Sequence, residues 1–243
     1  MRHFHAFGCS FTCWTWGTWA DIIQSSLSAK EICGFTNHGR SGAGNGFIFN
    51  KFIHALDNIT SDDVVMIMWT NVSREDRFID GDWKTEGNIF TNGFYDDDFI
   101  KKYVDIRGYY ERDIPIMHAV QRILDNIGCE HKIMSMVDIS NHDQYTHNDN
   151  SDEMSELFDK FSPTLDRILP SVHDIVFNYD YNNKPIPGLP ERNTIYSCHP
   201  TPLEHLEYVK QVLPEYEITP EIHEMISGWD KQVLNALRKN PHG

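Results

Sequence analysis

The chain has 243 residues, 40% of them hydrophobic and 12% aromatic, enough for one large folded domain and too many for a disordered chain. A formal net charge of -15 disfavours nonspecific binding to DNA, RNA or an anionic membrane, because the long-range field repels phosphate. No apolar run approaches the roughly 18 residues of a membrane span, and the first apolar stretch, interrupted by His3 and His5, does not read as a signal peptide. The five cysteines (Cys9, Cys13, Cys33, Cys129, Cys198) are odd in number and widely spread, which suits a reduced, cytoplasmic chain.

Residues 3–7 predict a short first strand, and Gly8-Cys9-Ser10 directly after it puts a hydroxyl on a tight strand-to-helix turn. Residues 16–29 predict a helix, with Trp19, Ile22, Ile23 and Leu27 at helical spacing. A second strand over 31–35, a glycine-rich loop over 37–46 and a helix over 47–56 follow. The clearest strand is 63–69, a continuous apolar run of the kind buried on both faces of a parallel sheet. Residues 76–108, rich in Asp, Gly, Asn and aromatics, break the alternation and predict an inserted loop region. Residues 114–127 predict a helix with Pro115 in its first turn, 131–137 a strand, and 141–156 a polar loop running into a helix. A short fifth strand is expected over 174–177, and closing helices over 202–213 and 220–238. Strands alternating with helices predict one α/β layered domain, with no internal repeat or domain boundary.

Four features occur in an order that chemistry explains. Ser10 is a candidate nucleophile, and a serine hydroxyl needs a base to take its proton. His199, in Ser197-Cys198-His199-Pro200-Thr201-Pro202 at the mouth of a helix, can reach the carboxyl edge of the sheet. Glycines in the 37–46 loop let backbone N–H groups approach a developing oxyanion, and the Asn71 amide after the most buried strand offers another donor. Each also has a plainer reading: Ser10 or Asn71 as a cap, the glycines as a turn, His199 as a surface histidine fixed by Pro200. Arg74 is either a substrate-binding arginine or half of a surface ion pair with Glu75. Trp14, Trp16 and Trp19 read as packing, or as a platform for a sugar face beside Ser10. His205 reads as structural. Among thirteen histidines no C-x-x-C or H-E-x-x-H spacing occurs, and Asp96-Asp97-Asp98 lacks the EF-hand pattern, so no metal is expected.

These blocks together resemble the SGNH (GDSL-type) hydrolase superfamily. Gly8-Cys9-Ser10-Phe11-Thr12 is similar to its first block, and Asn37-His38-Gly39-Arg40-Ser41-Gly42 to its second, with Gly42 at the oxyanion position. Trp69-Thr70-Asn71 falls on the third block and His199-Pro200 on the last. The wording Trp-Thr-Asn-Val-Ser-Arg-Glu, and that after His199, is similar to virus- and phage-encoded members, which would add host cytoplasm or virion as locations. The resemblance implies a flavodoxin-like three-layer α/β/α sandwich with a central parallel sheet of about five strands. It also implies a serine esterase without metal or organic cofactor, acting on a small-molecule or carbohydrate ester; the aromatics around Ser10 favour an O-acetyl carbohydrate. The usual Asp of the first block is Cys9. More consequential, the Asp that stands two or three residues before the family's histidine is replaced by Tyr196 and Ser197. A Ser-His dyad helped by a carbonyl or a carboxylate from elsewhere (Asp180 or Glu191) is one outcome. A lapsed fold used for binding or in a viral structure is the other.

Overall fold

A computed structural model of the chain describes residues 2–28, 34–90, 93–140, 151–178 and 199–239. In chain order, β1 (His3–Phe7), α1 (Trp19–Ser28), β2 (Gly34–Asn37), α2 (Asn45–Ala55) and β3 (Val64–Trp69) form the first half. Then come β4 (Arg74–Ile79), β5 (Asp82–Asn88), α3 (Asp97–Tyr103), α4 (Ile106–Ile127) and β6 (Glu130–Ser135). The chain continues with α5 (Ser151–Leu165), a π turn (His173–Phe177), α6 (Pro202–Val212) and α7 (Pro220–Lys239). The uninterrupted apolar sequence of β3 has its physical cause here: all six of its side chains are buried.

Around β3 runs a four-stranded sheet in the order β2-β1-β3-β6, every pair parallel. Parallel neighbours require crossovers, and helices supply them. Helices α1, α6 and α7 pack on one another, and α4 packs on both α2 and α5. A single main core joins both groups to the sheet, with Phe4, Phe7, Trp19, Phe52, Trp69, Tyr110 and Tyr208 among its largest buried side chains. No described helix is long and apolar enough to cross a membrane. Cys9, Cys13 and Cys129 are free thiols, while Cys33 and Cys198 lie outside the described residues.

Three expectations change. Residues 174–177 are not a strand: Ser171 donates its amide and hydroxyl to the Asp174 carboxylate, and the segment closes into the π turn with Val176 and Phe177 buried. The described sheet therefore has four strands rather than about five. Pro115 is not in a first turn, because α4 begins at Ile106, where Asp105 caps the Arg107 amide at 3.0 Å. The proline thus sits inside the helix, where it has no N–H to offer the carbonyl one turn back. The 76–108 segment, expected as a loop, holds most of an antiparallel β4–β5 hairpin and the short α3. The hairpin turns on Asp80-Gly81, both with positive φ (53° and 80°), the dipeptide that such two-residue turns favour.

Candidate active site

Ser10 emerges from β1 into a turn in which the Thr12 and Cys13 amides both donate to the Cys9 carbonyl at 3.0 Å. Gly8 has to be glycine, since a Cβ there would lie 2.0 Å from Thr12 Oγ1. The turn is laced to the next loop. His38 and Arg40 amides donate to the Ala6 and Gly8 carbonyls, and Asn37 Nδ2 reaches the Thr12 carbonyl at 2.8 Å. Ser10 itself is buried.

Gly42 closes that second loop at φ +72°, in the left-handed region. A Cβ at this position would stand 2.0 Å from the Thr85 carbonyl oxygen, and the Gly87 amide donates to the Gly42 carbonyl at 3.0 Å. The hairpin therefore requires a glycine here on steric grounds alone.

Asn71 follows β3. Its Oδ1 accepts the Ser73 amide and the Ser73 hydroxyl, both at 2.8 Å, which leaves Nδ2 as the donor end of the side-chain amide. Behind it lies a polar network that the sequence did not reveal. Buried Asn45 grips the backbone of Thr70 on both sides, accepting its N–H at 2.9 Å and donating to its carbonyl at 3.1 Å. The same Asn45 Nδ2 donates to Asp113 at 2.7 Å. Asp113, 0% exposed, also receives Arg112 Nε at 2.6 Å. The remaining Arg112 nitrogens donate to the Val72 and Arg74 carbonyls and to Glu75. Burial pushes the Asp113 carboxyl upward in pKa, against the pull of Arg112 and Asn45.

A second carboxylate joins the hairpin to this network. Asp76 accepts the Gly44 amide at 2.8 Å and the Phe47 amide at 2.7 Å. It thereby caps α2, whose own N-cap residue, Gly44, has no side chain to do so. Burial raises the pKa of Asp76 as well. Arg74 is not paired with Glu75: its guanidinium donates to the Ala43 carbonyl at 3.0 Å and touches Met136 Sδ at 3.4 Å. Glu75 instead meets Arg77 and Arg112. Arg74 thus ties the loop of Asn71 to that of Gly42.

His199 is held by different means. Its ring, 7% exposed, lies flat on Trp14, with centroids 3.7 Å apart and planes 12° from parallel. Phe11, next to Ser10, meets it at 5.5 Å and 64°, which brings the serine turn against the histidine loop. Trp16 stands at 6.5 Å and 85°, and its Nε1 donates to the Pro200 carbonyl at 2.8 Å. Thr201 and Glu204 form a capping box at the start of α6. Two further histidines pack on Phe11: His205, lowered to about 3 by burial and then by the charge of His199, and His173, lowered to about 4 mainly by burial. Asp180, Glu191, Tyr196 and Ser197 lie outside the described residues.

Ser10, Gly42, Asn71 and His199 thus come from four separated segments to loops linked by direct contacts. The Ser10, Gly42 and Asn71 loops follow the carboxyl ends of β1, β2 and β3. Among the described residues no group of three or more His, Cys, Asp or Glu is placed to hold a metal. His3, His5 and His38 line a separate cleft of about 690 Å³ with Lys51 and His54.

No family model and no curated protein matches the chain. Solved structures do. The acetylxylan esterase Axe2 from Geobacillus stearothermophilus aligns at 13% identity over 90% of this chain and 94% of its own, with a TM-score of 0.51. The psychrotrophic esterase EstA from Pseudoalteromonas sp. aligns at 13% identity over 88% and 97%, with a TM-score of 0.45. A member of the lipolytic G-D-S-L family from Veillonella parvula gives 12% identity over 88% and 97%, with a TM-score of 0.46. The likeness to Axe2 shows the fold: a central parallel sheet flanked by helices, the architecture implied by the SGNH resemblance.

Proposed function

We propose that this protein is a serine esterase of the SGNH type. The observation that carries the reading is the meeting of the Ser10 turn with the His199 ring through Phe11, on the sheet edge that also bears the Gly42 and Asn71 loops. In this reading His199 takes the proton of Ser10, whose oxygen attacks an ester carbonyl. The oxyanion is held by the backbone N–H groups of Ser10 and Gly42 and by Asn71 Nδ2, whose orientation the two Ser73 hydrogen bonds set. The alcohol leaves with the proton returned by His199, and water then releases the acid from the acyl-enzyme, again with His199 as base. The half-buried Trp14 and Trp16 beside the site suit a sugar face, so an O-acetylated carbohydrate is the favoured substrate class.

Release of p-nitrophenol from its acetate tests the reaction. Ser10→Ala is expected at the uncatalysed rate, and Asn71→Ala at a loss of about 10²–10³ in kcat. Equal background rates for wild type and Ser10→Ala would sink the esterase and leave a lapsed fold that binds. Acetate release from acetylated xylan, compared with a butyrate ester, tests the substrate class.

A further inference from the structure

Among the described residues, the closest ring contact at this edge is the one between His199 and Trp14. An imidazole lying flat on an indole, with centroids 3.7 Å apart, is well within the roughly 6 Å at which an aromatic face attracts a cation. Phe11 and Trp16 stand at steep angles to the same ring, so three aromatic side chains enclose it. The Trp16 hydrogen bond to the Pro200 carbonyl holds the adjoining backbone in place. A neutral imidazole gains only ordinary stacking from such surroundings. A protonated one gains in addition from the negative π face, most strongly from tryptophan.

We propose that the Trp14 face stabilises the imidazolium of His199, doing part of the work of the carboxylate that SGNH hydrolases place before their histidine. This rests on the reading of Ser10 and His199 as nucleophile and base. His199 gains its positive charge as Ser10 attacks, so a contact stronger for the cation than for the neutral ring lowers the barrier. Trp14 touches no reacting atom in this scheme and is a positioning residue. Burial disfavours the charged form of neighbouring His205, which packs on the same Phe11. Among the described titratable groups around His199, His205 of α6 and His173 behind Phe11 oppose the charge when protonated. The carboxylates of Glu204 and Asp230 are engaged by backbone amides at the start of α6.

With p-nitrophenyl acetate, which has no sugar to stack on Trp14, Trp14→Leu is expected to lower kcat by about two- to thirty-fold with KM little changed. Loss of the cation's partner makes His199 harder to protonate. The acid limb of kcat/KM should therefore move to lower pH, by up to roughly 1.5 units. Trp14→Tyr and Trp14→Phe should retain part of the effect, in that order. The His199 Cε1–H titration, followed by NMR in Ser10→Ala with and without Trp14→Leu, should show the same downward move without any turnover. If wild type hydrolyses esters and neither the acid limb nor the titration moves, the cation contact is overturned and the esterase reading stands. If the titration moves but wild type hydrolyses nothing, the contact stands and the esterase reading falls. Should Trp14→Leu not fold, Trp14→Phe decides: a variant identical to wild type in both readouts overturns the proposal.

Discussion

Asn71 and His199 share one edge of the sheet but are held by opposite physics. The Asn71 loop is fixed by directional bonds that run from Ser73 through Thr70 and Asn45 to the buried Asp113 carboxylate and its partly exposed partner Arg112. The histidine loop is fixed by ring faces and edges, with the Trp16–Pro200 bond to pin the backbone beside it. Hydrogen bonds to buried charge fail abruptly when one partner is lost, whereas ring packing tolerates some tilt. In the proposed reaction, a donor that must meet an oxyanion at about 3 Å suits the first kind of support, and a base that must first accept and then return a proton suits the second.

The comparison can be broken from either side. Asp113→Ala strands the partly exposed Arg112 guanidinium and the buried Asn45 amide, and should cost about 2–3 kcal/mol in urea unfolding. A loss below about 1 kcal/mol would show that the polar network is not what supports the Asn71 loop. Gly42→Ala should cost about 2–3 kcal/mol, from a left-handed penalty of about 1–2 and the shift needed to clear the Thr85 carbonyl. Its thermal midpoint against wild type checks this.

Acid should attack the aromatic side selectively. His205 is held at about 3 in the folded chain, against the ordinary value of 6.5. A lowered folded pKa gives stability that is complete above the unfolded value and drains away as pH falls toward the folded one. From pH 7.5 to 5, His205 alone should remove about 2 kcal/mol, and His205→Phe should flatten that part of the denaturation-versus-pH curve. Asp113 and Asp76 carry the opposite sign. Their raised pKa values favour the fold below the ordinary carboxylate range and lose that contribution as pH rises through their folded values. Smaller effects separate the two anchors. Asp76→Ala should cost about 1 kcal/mol by uncapping α2, and Trp16→Phe about 0.5–1 kcal/mol by removing the bond to Pro200. Chemical denaturation at constant m-value measures both.

Local pattern made much of this legible. The apolar run of β3, the helical spacing of α1 and the glycine-bearing loops after the first strands are short-range signals, and the structure uses them as such. The misses have equally physical causes. Asp80-Gly81 carried a hairpin signal, but the strands beside it are polar and half exposed, so no apolar alternation announced them. The start of α4 was hidden by Arg107, Glu111, Arg112 and Asp113, the last of which is buried because a partner 68 residues away neutralises its need for water. The apolar 175–177 run looked like a strand because a buried π turn uses the same residue types. Trp14 read as packing or a sugar platform, since nothing local joins it to a histidine so far along the chain.

The cap on α2 has a consequence for the order in which the chain acquires its shape. Asp76 lies 32 residues beyond Gly44 and 29 beyond Phe47, on a strand synthesised after the helix it completes. An eleven-residue helix is below the roughly 12–15 residues at which an isolated helix holds in water. Until β4 arrives, the first turn of α2 has its amides turned to solvent, and the Gly42 loop has no hairpin to lean on. Docking of the hairpin, completion of the helix and closure of the loop therefore belong to one cooperative event, which waits until the chain has extended through Asn88.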